Sequence, residues 1–262
     1  MAASKKILVF DSGLGGLTVY REIVAALPNA DFVYAADDAA FPYGALEDPA
    51  LIARVVKVIG ELIAAERPDL IVVACNTAST IALTELRKTF ALPFVGTVPA
   101  IKPACADSVT QQVSVLGTEA TVKREYTRAL IRDFAGNCAV TLVGSKRLAS
   151  YAEAELVGTP VDDTALSAEI GACFVNHGAR TDTIVLACTH YPLLLERLRR
   201  IAPWPVNFID PAPAIARRVV DLFGPVTAGA GSSCAVFTSG HPPAAVLRRF
   251  GIGSDTAAAT TG

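Results

Sequence analysis

Short apolar runs recur along the chain, and most are followed by a segment long enough to form a helix. The runs are KILVF (6–10), DFVYA (31–35), LIVVA (70–74), FVGTV (94–98), VSVLG (113–117), AVTLVG (139–144), TIVLA (183–187), VNFI (206–209) and AVFTS (235–239). A strand that is apolar at nearly every position, rather than at alternate ones, needs cover on both faces. Parallel sheets flanked by helices supply that cover, so the pattern predicts an α/β protein. Apolar residues at helical spacing predict helices over 18–27, 49–66, 79–90, 120–134, 165–177, 193–201, 212–223 and 243–250. The last stretch, 251–262, has no core-facing pattern and reads as a frayed tail.

Two of these runs end almost alike: VVACNTAS (72–79) and VLACTHYP (185–192). Each carries apolar residues into a cysteine, Cys75 or Cys188, and turns polar at once. A weaker pair of echoes, VFDSGLGG (9–16) and VLGTEATV (115–122), precedes them in the same order. The duplication predicts two similar parallel-sheet α/β domains, related by a pseudo-two-fold, with an active-site cleft where the carboxyl ends of both sheets meet. Elements after Asp210 are expected to return to the first half. The predicted domains are therefore residues 1–97 plus 210–262, and residues 98–209.

With 52% apolar and 18% charged residues, the body has enough material for a sizeable core. A formal charge of -2 without a basic run argues against nucleic acid as a partner. The apolar run after the first lysines is too short for a signal peptide or a membrane span, so a cytoplasmic protein with no membrane partner is expected. The six cysteines show neither CxxC nor knuckle spacing and read as free thiols. Cys105, Cys138, Cys173 and Cys234 are read as small buried hydrophobes.

Cys75 and Cys188 are candidates for chemistry. Each sits where a strand gives way to a helix, and unpaired amides with the positive end of a helix dipole favour thiolate there. Side-chain donors follow both: Asn76, Thr77 and Ser79 after the first, Thr189 and His190 after the second. His190 suits general acid–base work, with a helix-capping ring as the alternative; a lone Cys-x-His pair is a weak metal signal, and no metal site is expected. DSGLGGL (11–17) fits neither a dinucleotide nor a Walker loop. Its glycines can present amides to a small anion such as a carboxylate, with Asp11 and Ser12 at the rim, or can simply make a tight turn capped by Asp11. DDAAFPYGALED (37–48) is either a functional connector or a plain surface loop.

Taken in order, FDSGLGGLTV, FPYG, VACNTAS, VGTVPAIKPA, VLGTEATV, LACTHYPLL and IDPA resemble the glutamate racemases, within the cofactor-independent Asp/Glu racemase superfamily. The resemblance implies a two-domain enzyme that interconverts L- and D-glutamate without a cofactor, as a homodimer, for peptidoglycan synthesis. It implies that Cys75 and Cys188 are the acid–base thiols, helped by Asp11 and His190 respectively. Ser12, Pro42, Tyr43, Gly44, Asn76, Thr77, Thr118 and Thr189 match positions that hold the substrate's carboxylates and ammonium. Glu153 corresponds to an acid near the second thiol, with Glu155 as the other alignment. The amino terminus is shorter than in some bacterial members, which argues against activation by a cell-wall nucleotide precursor.

The chemistry gives the duplication a reason. Inverting an α-carbon requires a proton to leave one face and another to arrive on the opposite face, and two thiols can exchange those roles. Competing readings are a racemase for aspartate or a related amino acid, a hydrolase using one cysteine, and a non-catalytic amino-acid binding module.

Overall fold

The computed structural model describes residues 5–226 and 231–253, so residues 254–262 of the expected tail lie outside it. The described chain falls into two compact units: residues up to Thr97 together with those from Ala212 onward, and Val98–Pro211.

The first unit starts with β1 (Lys6–Asp11), α1 (Leu17–Ala26), β2 (Asp31–Ala36), α2 (Asp48–Glu66), β3 (Leu70–Val73), α3 (Asn76–Thr89) and β4 (Phe94–Gly96). The second contains α4 (Ile101–Asp107), β5 (Gln112–Thr118), α5 (Glu119–Lys123), α6 (Glu125–Phe134), β6 (Ala139–Ser145), α7 (Leu148–Leu156) and α8 (Asp163–Ile170). A small hairpin, β7 (Asn176–His177) and β8 (Ala179–Arg180), leads to β9 (Thr183–Ala187), α9 (Leu195–Ile201) and β10 (Asn207–Ile209). The chain then returns to the first unit with α10 (Ala212–Phe223), β11 (Ser233–Phe237) and α11 (Ala244–Arg249).

The sheet of the first unit runs β11-β2-β1-β3-β4 and that of the second β10-β9-β5-β6, with every pairing parallel. Reading the second from its other edge gives β6-β5-β9-β10, which matches β2-β1-β3-β4 strand for strand. The repeat seen in the sequence is thus a repeat of topology: β5 takes the place of β1, and β9 that of β3. In both sheets the strand order reverses between those two strands, a switch point where side chains from two strand ends can converge.

Burial agrees with the sequence pattern. All four residues of β3 and all five of β9 are buried. One face of the first sheet packs Leu8, Phe10, Ile71 and Val73 against Leu51, Val55 and Ile59 of α2 and Ala82 and Leu86 of α3. In the second sheet Val113, Val115, Val185 and Ala187 pack against Ile101 and Ala104 of α4. No described helix is long and apolar enough to cross a membrane.

Four segments depart from the expected elements. The helix over 120–134 is broken at Arg124, because Thr127 donates its hydroxyl to the Thr121 carbonyl (2.7 Å) and its amide to the Arg124 carbonyl (3.1 Å), closing a local turn. The helix over 165–177 stops after Ile170, continues as a 3₁₀ turn through Cys173 and gives way to the hairpin, whose bend places Gly178 at φ 83. Helices α4 and α7 were not read from periodicity. The first is short and contains Pro103, and the second, LASYAEAEL, is alanine-rich with little amphipathic contrast.

Of the cysteines outside the repeated motifs, Cys173 is buried as expected, whereas Cys105, Cys138 and Cys234 are only partly buried. Burial pushes the fully buried Cys173 thiol up to about 12 and, with Cys138 alongside, the half-buried Cys105 thiol to about 12; burial also raises Cys234. At pH 8 Cys173 is therefore a thiol, not the reactive thiolate. Iodoacetamide treatment of the native protein followed by peptide mapping is expected to leave it unmodified, whereas labelling at the rate of a free peptide thiol would contradict this.

Candidate active site

In the first unit, β1 and β3 end side by side. Asp11, the last residue of β1, is fully buried, and its Oδ2 accepts the Gly13 amide at 3.1 Å. Part of its work is therefore to hold the turn, as a capping carboxylate would. The Tyr34 hydroxyl donates to the Gly13 carbonyl (2.6 Å), and Thr18 donates to the Gly15 carbonyl (2.9 Å). Gly16 is required for a packing reason: a Cβ there would lie 2.6 Å from Cβ of Asp11.

Cys75 follows β3 at the N-cap of α3, and its carbonyl accepts the Ser79 amide (2.8 Å). Its sulfur is buried, with Oγ of Ser12 at 3.6 Å. The first turn of α3 surrounds this thiol with helix amides and the dipole's positive end. Thr77 is buried in the same turn, and Ser79 uses its hydroxyl to accept the Thr97 amide (2.8 Å), which ties α3 to the end of β4. Asn76 is 2% exposed, yet no group among the described residues answers either its carbonyl oxygen or its amide nitrogen. Buried amides usually have partners, so this one is unusual.

Pro42, Tyr43 and Gly44 lie on the β2–α2 connector. Tyr43 opens a 3₁₀ turn through Ala45, and its ring is buried in the core beside Phe10. Its hydroxyl is committed to Asp37 at 2.5 Å. Burial, and then the Asp37 charge, hold that phenol well above its ordinary pKa, so it stays neutral. The side chain is therefore a support, and what this segment can offer a ligand is backbone.

In the second unit the equivalent strand ends are those of β5 and β9. Thr118 closes β5 and caps α5, accepting the Thr121 amide at 3.1 Å with Oγ1 of Thr121 at 3.0 Å. Gly117 is paired with Ala187, which sets this cap beside Cys188. Cys188 and Thr189 are buried. Nδ1 of His190 lies 3.7 Å from the Cys188 sulfur, and its Nε2 lies 2.8 Å from Oε1 of Glu153 on α7. His190 stands at the N-cap position of a 3₁₀ turn, Tyr191–Leu194, without making a capping bond. Its ring thus lies between Glu153 and the thiol, within reach of both.

The geometry also separates the two nearby acids. Glu155 pairs with Arg197 and accepts the Val161 amide at 3.1 Å, away from His190. Glu153→Gln is expected to lower turnover by roughly tenfold or more, most where His190 must exchange a proton with Cys188. Glu155→Gln is expected to leave turnover intact and cost no more than about 1 kcal/mol of stability. Kinetics in both reaction directions and thermal melts of the two variants check this.

The two thiols sit at matching ends of a repeated topology but are supported differently. Cys75 has a 14-residue helix behind it, while Cys188 precedes a 3₁₀ turn and relies on His190 and Glu153. Among the described residues no cluster of three His, Cys, Asp or Glu side chains is arranged to hold a metal ion.

Paired strand-end thiols in duplicated α/β units define a class of proton-transfer enzyme, and residues 7–219 match the family model of the Asp/Glu/Hydantoin racemases; the chain belongs to that family. It is 52% identical to the glutamate racemase of Brucella anthropi over 252 residues, covering 94% of this chain and 91% of that protein. It is 54% identical to the glutamate racemase of Brucella canis over 224 residues, 85% of this chain and 81% of that one. Among solved structures it is similar to Escherichia coli glutamate racemase in complex with L-glutamate and the activator UDP-MurNAc-Ala. That likeness has a TM-score of 0.87 at 39% identity and covers 95% of this chain and 96% of that one.

Proposed function

We propose that this chain is a glutamate racemase, interconverting L- and D-glutamate and supplying D-glutamate for peptidoglycan. The observation that carries the reading is the repeated strand end: β3 and β9, equivalent strands of the two sheets, each lead into a buried thiol with a polar helper beside it. Cys75 and Cys188 alternate as base and acid. One removes the α-proton as thiolate, and the other delivers a proton to the opposite face of the carbon. Asp11 assists Cys75, and His190, oriented by Glu153, assists Cys188.

The α-proton is far less acidic than a thiol, so donors to the α-carboxylate must lower most of the barrier as the carbanion develops. Asn76, Thr118 and the amides of the Gly13–Gly16 turn have that role. Ser12, Thr77, Thr189 and the backbone of Pro42, Tyr43 and Gly44 complete the substrate contacts. No cofactor enters the scheme. The substrate assignment rests on the identity to the Brucella relatives. The enzyme works in the cytoplasm, as a homodimer.

A panel of single-enantiomer glutamate, aspartate and glutamine, followed by polarimetry, tests the substrate. Optical decay is expected with both glutamate enantiomers and not with aspartate. Decay with aspartate alone would reassign the enzyme within the family, and no decay with any substrate would end the proposal.

A further inference from the structure

The Asp37 carboxylate at the end of β2 is fully buried, and the scheme above does not use it. A carboxylate withdrawn from water persists only where donors replace the water. Here Oδ2 accepts from the Tyr43 hydroxyl (2.5 Å) and from Nε of Arg54 (2.6 Å). Oδ1 accepts from Nη2 of Arg54 (2.7 Å) and from Oγ1 of Thr238 (2.8 Å). The Arg54 fork grips both oxygens, which fixes the carboxylate's plane as well as its position. Its backbone is fixed too, since the Asp37 amide donates to the Asp11 carbonyl at 2.9 Å.

Thr238 and Ser239 follow β11, brought in by the chain's return to the first unit, and both lie beyond the residues matched by the family model. They brace the same connector. Oγ1 of Thr238 accepts the Ala39 amide (3.2 Å), and Ser239 donates its amide (2.9 Å) and hydroxyl (2.5 Å) to Asp38. Every one of these bonds ends on residues 37–39 or on Tyr43. A connector this short on regular structure must otherwise spend binding energy on being ordered.

We propose that Asp37, locked by Arg54 and Thr238, is a positioning residue that holds Tyr43 and so sets the Pro42–Gly44 backbone for substrate. This rests on the functional reading above, which gives that segment a substrate contact. Arg54, Thr238 and Asp37 touch no reacting atom in this scheme; they act through Tyr43.

The test uses Asp37→Asn, Tyr43→Phe, their double variant, Arg54→Lys and Arg54→Met in the full chain. Expected for Asp37→Asn is a rise in KM for glutamate of about tenfold or more with a smaller change in kcat, since a displaced positioning segment costs binding first. Tyr43→Phe, which keeps the ring in the core, should raise KM in the same sense, and the double variant should be no worse than Asp37→Asn. Arg54→Lys should recover part of what Arg54→Met loses. Backbone hydrogen exchange over 38–46 should quicken in Asp37→Asn and Tyr43→Phe. Unchanged KM, unchanged exchange over 38–46, or fully multiplicative effects in the double variant would each overturn the proposal. If the unaltered protein fails to racemise glutamate, the functional reading fails by itself, and the exchange measurement still decides whether Asp37 holds the segment.

Discussion

Replacing either thiol, as Cys75→Ala or Cys188→Ala, is expected to lower racemisation by about 10³-fold or more in both directions, with the double variant hardly worse than either single one. The reason lies in the chemistry. Inversion needs a base and an acid in the same turnover, so an enzyme with one thiol lacks half the step whichever enantiomer it is given. Contributions that act as one unit do not add, which makes the double variant the informative one. A one-cysteine hydrolase would show a different pattern, with one variant dead and the other active. Both thiols are small and nearly buried, so alanine leaves only a small cavity and thermal melts should show folded protein. Racemisation retained by either variant within tenfold of the unaltered protein would remove that thiol from the mechanism.

Asn76→Ala is expected to separate activity from stability. Its amide is buried at the first position of α3, beside Cys75, and makes no hydrogen bond to any group among the described residues. Removing it therefore breaks no stabilising bond within the fold, and alanine is the better helix former. The melting temperature should hold or rise by a few degrees; in a protein of this size each kcal/mol gained is worth about 2–4 °C. If Asn76 donates to the α-carboxylate as charge develops there, its loss should cost about 10²–10³-fold in kcat. A variant with normal turnover, or one that loses activity only because it melts early, would show that Asn76 is not placed for substrate.

The fold was legible where the sequence speaks through burial. Runs such as LIVVA and TIVLA are apolar at all or nearly all positions because their strands are covered on both faces, and the similar ends of the two runs at Cys75 and Cys188 show as duplicated text. Helix α7 was silent by comparison. Its alanines leave it without an amphipathic stripe, although it carries Glu153. The break at Arg124 depends on one threonine hydroxyl and could not be read from periodicity.

The same contrast holds within the site. Cysteines, a histidine and a glycine turn declare themselves by residue type and position at strand ends. The choice between Glu153 and Glu155 does not, because both lie on one short helix; it is decided by which carboxylate meets His190 and which meets Arg197. Asp37 was one acid in an acid-rich loop. Its partners Arg54 and Thr238 stand 17 and 201 residues away in sequence, so only the folded chain brings them together. Tyr43 is the subtler case, since the motif marks it as a substrate position while its side chain faces the core.

The most direct measurement follows the α-proton itself. L-Glutamate incubated with the enzyme in heavy water and sampled early by NMR and chiral separation should yield D-glutamate that carries deuterium at the α-carbon, while unconverted L-glutamate keeps most of its protium. Newly formed D-glutamate that retains the original proton would mean that a single base picks up and returns the same hydrogen, and the two-thiol account would be wrong.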